Sequence, residues 1–136
     1  MLFSLVLSCV IPLSPLTIDS LMDYKQCLDK NKKLGHVIQW EPLISKYFDD
    51  PNDVEKSLLI IFCESSGREY AVNNNKNGTR DVGLWQFNDD TWAWLKPKLK
   101  IEESRYDPET STAVAKWLIK NDGWYHWNSS KHCWNY

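Results

Sequence analysis

Two carboxylates near the middle of the chain lie in contrasting surroundings and are spaced so that they could share one reaction. Glu64 follows the apolar run 57–63, and Asp81 lies seventeen positions later in a polar segment rich in asparagine and glycine. Because burial disfavours a charged carboxylate, we expect the pKa of Glu64 to be raised. A protonated carboxylic acid facing a groove can act as a general acid. On Glu64 alone, however, a surface glutamate that ends a helix is the commoner case.

The segments that lead to Glu64 have clear helical signals. Apolar residues between 38 and 48 recur at helical spacing, which predicts an amphipathic helix over that range. The turn 49–53 supplies an N-cap for a second helix, 54–65. This helix is apolar on almost every face, which indicates a core helix, and Gly67 should end it.

The segments after Glu64 predict a small hairpin and two further helices. Residues 70–88 contain Asn77-Gly78, the strongest short hairpin signal. We expect Asp90 to cap a short helix over 91–96, and Asp107 to begin a longer one that closes at Gly123. The predicted fold class is therefore α+β and mostly α-helical, with one small β-hairpin beside the core helix.

Composition favours one compact domain and excludes some partners. The chain has 136 residues and a net charge of −2, from 16 basic and 18 acidic residues, so no basic surface for nucleic acid is predicted. It contains 8 tryptophans, more than core packing usually needs. Indole rings suit sugar-binding grooves as well as cores. We expect most of them in the core and a minority along a groove.

The first twenty residues are apolar but contain two prolines, and no lysine or arginine precedes Lys25. This segment is too short and interrupted for a membrane span, so we predict a signal peptide over 1–20, a secreted product and a single domain over 21–136. A buried or partly disordered N-terminal strand is the alternative. Stable membrane insertion is not expected, and neither is oligomerisation.

The predicted signal peptide determines which cysteines remain to form disulfides. Cleavage near Ser20 would remove Cys9 and leave three cysteines in an oxidising compartment, enough for one bridge and one free thiol. Cys63 projects from the core helix and Cys133 follows the aromatic tail, so we predict a Cys63–Cys133 disulfide, with Cys27 as the alternative mate. The three histidines have no metal-ligand spacing, and we predict neither a metal site nor a cofactor.

The stretch 64–92 resembles the catalytic hairpin of c-type lysozymes without a gap. The same stretch is similar to soluble lytic transglycosylases and phage-type lysozymes, with E-S, A-V-N and G-L-x-Q in that order. Residues 107–127 resemble the late helix and the G-W-x-x-W segment of both groups. The resemblance covers about residues 54–133 and places the chain in the lysozyme superfamily. The residues that match the c-type pattern are Glu64, Ser65, Ala71, Asn73, Asn75, Gly78, Asp81, Gly83, Leu84, Gln86, Phe87 and Asn88.

The chain also departs from the c-type pattern. Most c-type lysozymes carry eight cysteines, whereas this chain has 4, and Cys63 is adjacent to Glu64 rather than several positions before it. The four-bridge scaffold of the animal enzymes is therefore excluded. The phage and bacterial branch of the superfamily is the closer match.

The resemblance implies cleavage of β-1,4 bonds between N-acetylmuramic acid and N-acetylglucosamine in peptidoglycan. Glu64 would protonate the leaving group, and Asp81 would stay ionised and support the oxocarbenium-like centre. Amide and indole side chains would contact the sugars, although Asn73 and Asn75 fit turn formation equally well. Trp124 and Trp127 fit closing the core beneath Glu64 equally well. The candidate substrate contacts are Asn73, Asn75, Gln86, Asn88, Trp92, Trp124 and Trp127.

Two other functions fit the same residues. A lytic transglycosylase would use Glu64 alone and leave a 1,6-anhydro ring. A non-catalytic binding module with this fold is the second alternative, and the presence of both Glu64 and Asp81 argues against it. Bacterial peptidoglycan is the expected partner, with chitin oligosaccharides as a second substrate class.

Overall fold

The computed structural model describes Cys9 and residues 17–135. Most of the predicted signal peptide, 1–20, lies outside the described residues, so that prediction and the domain boundary at residue 21 stay predictions. The described part contains six α-helices, a 3-10 segment and three short strands. In chain order they are α1 (Ile18–Ile38), α2 (Glu41–Tyr47), α3 (Pro51–Glu64), β1 (Val72–Asn74), β2 (Arg80–Val82), β3 (Phe87–Asn88), α4 (Asp89–Leu99), α5 (Pro108–Asp122), the 3-10 segment (Gly123–Ser130) and α6 (Lys131–Trp134).

The longest helix, α1, was not predicted from the sequence. It begins with a capping box in which Thr17 and Ser20 each accept a hydrogen bond from the other's backbone N–H. A disulfide joins Cys27, on α1, to Cys9. Along the helix only Leu34 and Val37 are buried, so α1 has little of the apolar periodicity that identifies a helix in sequence.

The single helix predicted over 38–48 is divided in two. α1 ends at Ile38 and α2 begins at Glu41, with Pro42 in its first turn. Proline has no backbone N–H and clashes with the preceding turn, so it starts α2 rather than continuing α1.

The prediction of a core helix before Glu64 is confirmed by α3. Asp50 caps it by accepting a hydrogen bond from the backbone N–H of Asn52, and Pro51 occupies its first turn. Its end packs closely against the end of α1 at Gly67, which has a φ of +76°. A Cβ on this residue would lie 2.5 Å from the carbonyl oxygen of His36, so only glycine fits.

The predicted hairpin is present, and a third strand extends it into an antiparallel sheet of order β1-β2-β3. Asp81, at the centre of β2, pairs with Asn73 on one side and Asn88 on the other. A tight turn between Gly83 and Gln86 folds β3 back onto β2. Gly83 is required there, because a Cβ would lie 2.3 Å from the carbonyl oxygen of Arg105.

The two later helices follow the sheet. α4 is longer than predicted, and its cap is Asn88 rather than Asp90 because the chain turns directly out of β3. α5 begins after its cap Asp107 and closes at Gly123, as predicted. The mostly helical α+β fold class is confirmed. None of the helices in the described part of the chain is long and apolar enough to cross a membrane.

Candidate active site

Glu64 is the last residue of α3 and is half-buried. Burial raises the pKa of its carboxyl above the ordinary value, and the negative charge of Asp81 raises it further. Hydrogen bonding by the side chain of Ser130, in the 3-10 segment, acts in the opposite direction and lowers that pKa, and the same hydroxyl lies 3.1 Å from a second acceptor, the carbonyl oxygen of Trp127. The end of a core helix therefore holds a carboxyl group that retains its proton more readily than a solvated glutamate does.

Asp81 projects from β2 and is held by its neighbour on β3. The Nδ2 of Asn88 donates a hydrogen bond of 2.7 Å to the Asp81 Oδ1 and one of 3.0 Å to the Oγ1 of Thr79. The Oδ1 of Asn88 accepts from the backbone N–H of Asp90 at 3.0 Å, which caps α4. Both the nitrogen and the oxygen of the Asn88 side-chain amide are therefore engaged, which fixes the position of the Asp81 carboxylate beside it.

One cleft, of about 140 Å³, contains both carboxylates. Its walls come from the end of α3, from the sheet, from the start of α4 and from the 3-10 segment. It brings together Glu64, Asp81, Gln86, Asn88 and Trp127 from the residues predicted as site residues. The other lining residues are Trp85, Phe87, Thr91, His126 and Ser129.

The predicted amide contacts have structural partners inside the protein. Gln86 is 8% exposed, and its Nε2 donates to the carbonyl oxygens of Ala71 and Gly83. Its Oε1 accepts from the Nδ2 of Asn73 at 2.7 Å. Asn75 donates to the hydroxyl of Thr79 across the hairpin loop, the turn-forming arrangement given above as its alternative role. Gln86 and Asn88 reach the cleft, whereas Asn73 and Asn75 are not among its lining residues.

The three predicted groove tryptophans occupy different positions. Trp92 is 8% exposed, packs against Phe87 with ring centroids 5.4 Å apart, and is not among the cleft-lining residues. Trp124 stacks on Phe48 at 6.2 Å and also lies outside the cleft lining. Trp127 does line the cleft, and its Nε1 donates to the carbonyl oxygen of Trp85.

A disulfide between Cys63 and Cys133 ties the residue before Glu64 to α6. This is the predicted pair. The prediction of one bridge and one free thiol, which assumed loss of Cys9, differs from the structure, in which Cys27, the alternative mate, is bonded to Cys9. His132 lies near the same two sulfur atoms, and the three residues form a group with metal-ligand spacing in the described part of the chain. Because both sulfurs belong to the disulfide, neither offers the thiolate that a metal ion binds.

Sequence reasoning missed an ion pair behind the sheet. Arg105 is buried, pairs with Asp89 at the start of α4, and donates to the carbonyl oxygen of Phe87 at 2.8 Å. Asp89 also accepts from the backbone N–H of Arg80 at 2.8 Å. The guanidinium of Arg105 and the donors of Arg80 lower the pKa of Asp89 to about 2. The pair therefore fixes the strand ends next to Asp81, although neither residue lines the cleft.

His126, Ser129 and Ser130 were also missed as site residues. They come from the 3-10 segment, whose sequence predicts only a compact aromatic tail. A signal was available, since the segment contains the G-W-x-x-W similarity and lies just before Cys133, the predicted partner of Cys63. A disulfide beside Glu64 brings this segment to the cleft.

The chain is similar to a known domain family and to named proteins. Residues 44–124 match the family model described as the transglycosylase SLT domain, and this range includes both carboxylates. A Bombyx mori protein named lysozyme is 30% identical over 100 residues, which cover 66% of this chain and 72% of that protein. Lysozyme 2 of Lucilia sericata is 27% identical over 92 residues, which cover 60% of this chain and 65% of that protein. No solved structure matches the chain.

Proposed function

We propose that this chain, which belongs to the transglycosylase SLT domain family, is a secreted glycoside hydrolase that cleaves peptidoglycan. The scissile bond is the β-1,4 bond between N-acetylmuramic acid and N-acetylglucosamine. The observation that carries the proposal is one cleft with two carboxylates in unlike environments: Glu64 with a raised pKa, and Asp81 held by an amide donor. Such a pair provides an acid and a charged group in the same groove.

In this mechanism Glu64 donates its proton to the glycosidic oxygen as the bond to the anomeric carbon breaks. Asp81 stabilises the positive charge that develops at that carbon, either as a charged neighbour or as a nucleophile. Water then adds to the anomeric carbon and returns a proton to the Glu64 carboxylate, which restores the starting state. Trp127 contributes an apolar wall and Gln86 a polar one.

Cleavage without water is the second candidate function, and the description of the family model favours it. In a lytic transglycosylase the 6-hydroxyl of the muramic acid attacks its own anomeric carbon and forms a 1,6-anhydro ring. Glu64 would act first as acid and then as base, and Asp81 would only stabilise the hairpin. The held carboxylate of Asp81 in the cleft favours hydrolysis, because the intramolecular reaction does not need a second carboxylate.

The location and assembly state are part of the proposal. Two disulfides, Cys9–Cys27 and Cys63–Cys133, are present in the described residues, and such bonds persist in oxidising compartments. This supports a secreted protein. We propose that it acts as a monomer.

Digestion of purified peptidoglycan tests the reaction. We expect wild-type protein to release fragments with reducing ends, identified by mass spectrometry after borohydride reduction. Glu64→Gln should lose 10²–10⁴-fold of the rate while retaining its far-UV circular dichroism and melting transition. A matched control is Glu103→Gln, at an exposed position between α4 and α5. Anhydro ends would support the transglycosylase instead. No cleavage of peptidoglycan or chitin by correctly folded wild type would support a binding module.

A further inference from the structure

The charge of the cleft is unbalanced toward negative. Three of its lining residues have ionisable side chains: Glu64, Asp81 and His126. His126 is therefore the one lining side chain in the described part of the chain that can carry a positive charge. A substrate group that is itself anionic would be repelled by the Asp81 carboxylate unless it contacts His126.

His126 is held in a fixed position. Its Nε2 lies 3.3 Å from the Oδ2 of Asp122, the last residue of α5, and its side chain is 17% exposed. Its ring packs on that of Tyr125, with centroids 4.2 Å apart, and meets the edge of Trp127 at 6.1 Å. Asp122 engages Nε2, and the structure shows no hydrogen bond to the other ring nitrogen, Nδ1, among residues 17–135.

We propose that His126, oriented by Asp122, is a specificity-determining residue that binds a carboxylate on the muramoyl part of the substrate. This inference rests on the proposed function and deepens it. Peptidoglycan carries carboxylates, on the lactyl ether of the sugar or on the attached peptide, whereas chitin carries none. A charge-assisted hydrogen bond from the imidazolium therefore favours peptidoglycan over chitin in a cleft of otherwise similar chemistry.

The arrangement explains why Asp122 belongs to the site although it is not a lining residue. A carboxylate that accepts from one ring nitrogen fixes the direction of the other nitrogen. Asp122 is thus a positioning residue that acts through His126. Tyr125, 57% exposed, covers one face of the ring and limits its rotation.

Binding measurements in the Glu64→Gln protein test the proposal without requiring turnover. The readout is the tryptophan fluorescence of Trp127 and its neighbours at pH 5, the lower end of the range in which imidazoles change charge. Three ligands separate the sources of the carboxylate: chitotetraose, a peptide-free N-acetylglucosamine–N-acetylmuramic acid tetrasaccharide, and the same glycan with its peptides. We expect His126→Gln to weaken binding of one or both muramoyl ligands about tenfold and leave chitotetraose unchanged.

Further variants separate charge from shape. His126→Arg retains a cation and should keep most of the affinity for the muramoyl ligands. Asp122→Asn should weaken muramoyl binding less than His126→Gln does, again without an effect on chitotetraose. His36→Gln, an exposed histidine on α1, is the matched control and should change nothing.

Several results would overturn the proposal. Equal weakening of all three ligands in His126→Gln would indicate a general structural role, and no weakening of any would remove His126 from recognition. Absence of muramoyl binding by the Glu64→Gln protein would also refute the proposal that His126 binds a substrate carboxylate. These outcomes are distinct from failure of the proposed function, which would appear as intact peptidoglycan after digestion with wild type even where His126-dependent binding is measured.

Discussion

Asn88 donates a 2.7 Å hydrogen bond to Asp81 while its side-chain oxygen caps α4 through the backbone N–H of Asp90. One amide therefore links a candidate catalytic carboxylate to the start of a helix. A serine at this position can still cap α4 with its hydroxyl oxygen. Its side chain is too short to donate to Asp81 as the Asn88 amide does. The two roles of Asn88 can thus be separated by substitution.

We expect Asn88→Ser and Asn88→Ala to lose activity to a similar extent, about tenfold, because both remove a hydrogen bond to a charged group. Only Asn88→Ala should also lose the cap, at about 1 kcal/mol of unfolding free energy. Initial rates on peptidoglycan and urea denaturation measure the two effects. If Asn88→Ser kept wild-type activity, the contact with Asp81 would have no part in the reaction.

The pH dependence of activity should respond to Ser130. Glu64 acts as an acid, so activity falls as pH rises through its pKa, and the Ser130 hydroxyl lowers that pKa by stabilising the carboxylate. Ser130→Ala removes this effect. Burial and the charge of Asp81 then act alone on the pKa of Glu64, and both raise it. We therefore expect the alkaline limb of the kcat/KM profile to move to higher pH. Ser129→Ala, the neighbouring serine in the cleft lining, is the control, and an equal shift there would contradict the assignment.

The ion pair between the buried Arg105 and the partly exposed Asp89 should give stability that depends on pH. In the folded protein Asp89 has a pKa of about 2, whereas the ordinary value is 3.8, so the folded state favours its charged form. The stability it provides is complete above about pH 4 and is lost as pH falls toward 2.

This linkage predicts that wild type and Asp89→Asn differ in urea midpoint above pH 4 and converge between pH 4 and 2. Equilibrium denaturation across that range measures the difference. Asp90→Asn gives the baseline for replacing an acid in the first turn of α4. A wild-type advantage that remained constant down to pH 2 would show that Arg105 does not stabilise the charged form of Asp89.

The disulfides differ in what they should contribute. Cys63–Cys133 closes a loop with a sequence separation of 70, and Cys9–Cys27 one of 18. In the chain-entropy model the longer loop gives about 4 kcal/mol and the shorter about 3 kcal/mol. We expect the double variant Cys63→Ser, Cys133→Ser to lose more stability than Cys9→Ser, Cys27→Ser.

Peptide mapping of the secreted product then decides the fate of the N-terminus. Cleavage near Ser20 before the Cys9–Cys27 bond forms would separate Cys9 from the domain and leave Cys27 as a free thiol. Retention of the segment would give a mapped Cys9–Cys27 peptide.

The parts of the site that sequence could predict are those with local signals. α3 is apolar on nearly all faces, and Asp81 lies in a motif whose glycines and asparagines are fixed by turn geometry. α1 is different, because it is held by its cap and a narrow packing stripe in which only Leu34 and Val37 are buried. Its sequence therefore lacks the apolar periodicity that would predict a helix. Arg105 and Asp89 are sixteen positions apart, and charged residues are by default surface residues, so their pairing emerges only from the folded chain.

The tryptophans illustrate the same limit. Trp92 and Trp124 have the side-chain type expected in a sugar-binding groove, yet both pack against aromatic rings of the core. Which indole reaches the cleft depends on how α4, α5 and the 3-10 segment meet, and no short stretch of sequence encodes that. Trp127 lines the cleft because the 3-10 segment is held beside α3, with the Cys63–Cys133 bridge linking α3 to α6, which follows that segment.

Asp81→Asn separates hydrolysis from transglycosylation. If Asp81 supports the oxocarbenium-like centre, the substitution removes its charge from the cleft and should lower the rate by several orders of magnitude, with reducing ends among the wild-type products. If Glu64 acts alone, the loss should be small and the wild-type ends anhydro. A third possibility, an aspartate that only holds its strand, would lower the melting temperature and leave the specific activity of the folded fraction unchanged.

Rates, product ends and thermal unfolding of the same preparations distinguish the three outcomes, with Asp90→Asn as the control for an acid-to-amide change close to the site. We expect the first, because Asp81 faces the cleft with Glu64 and receives the Asn88 amide, an arrangement that stabilises charge rather than a turn. Anhydro products together with a nearly active Asp81→Asn protein would reverse that assignment and leave Glu64 as the single catalytic carboxylate.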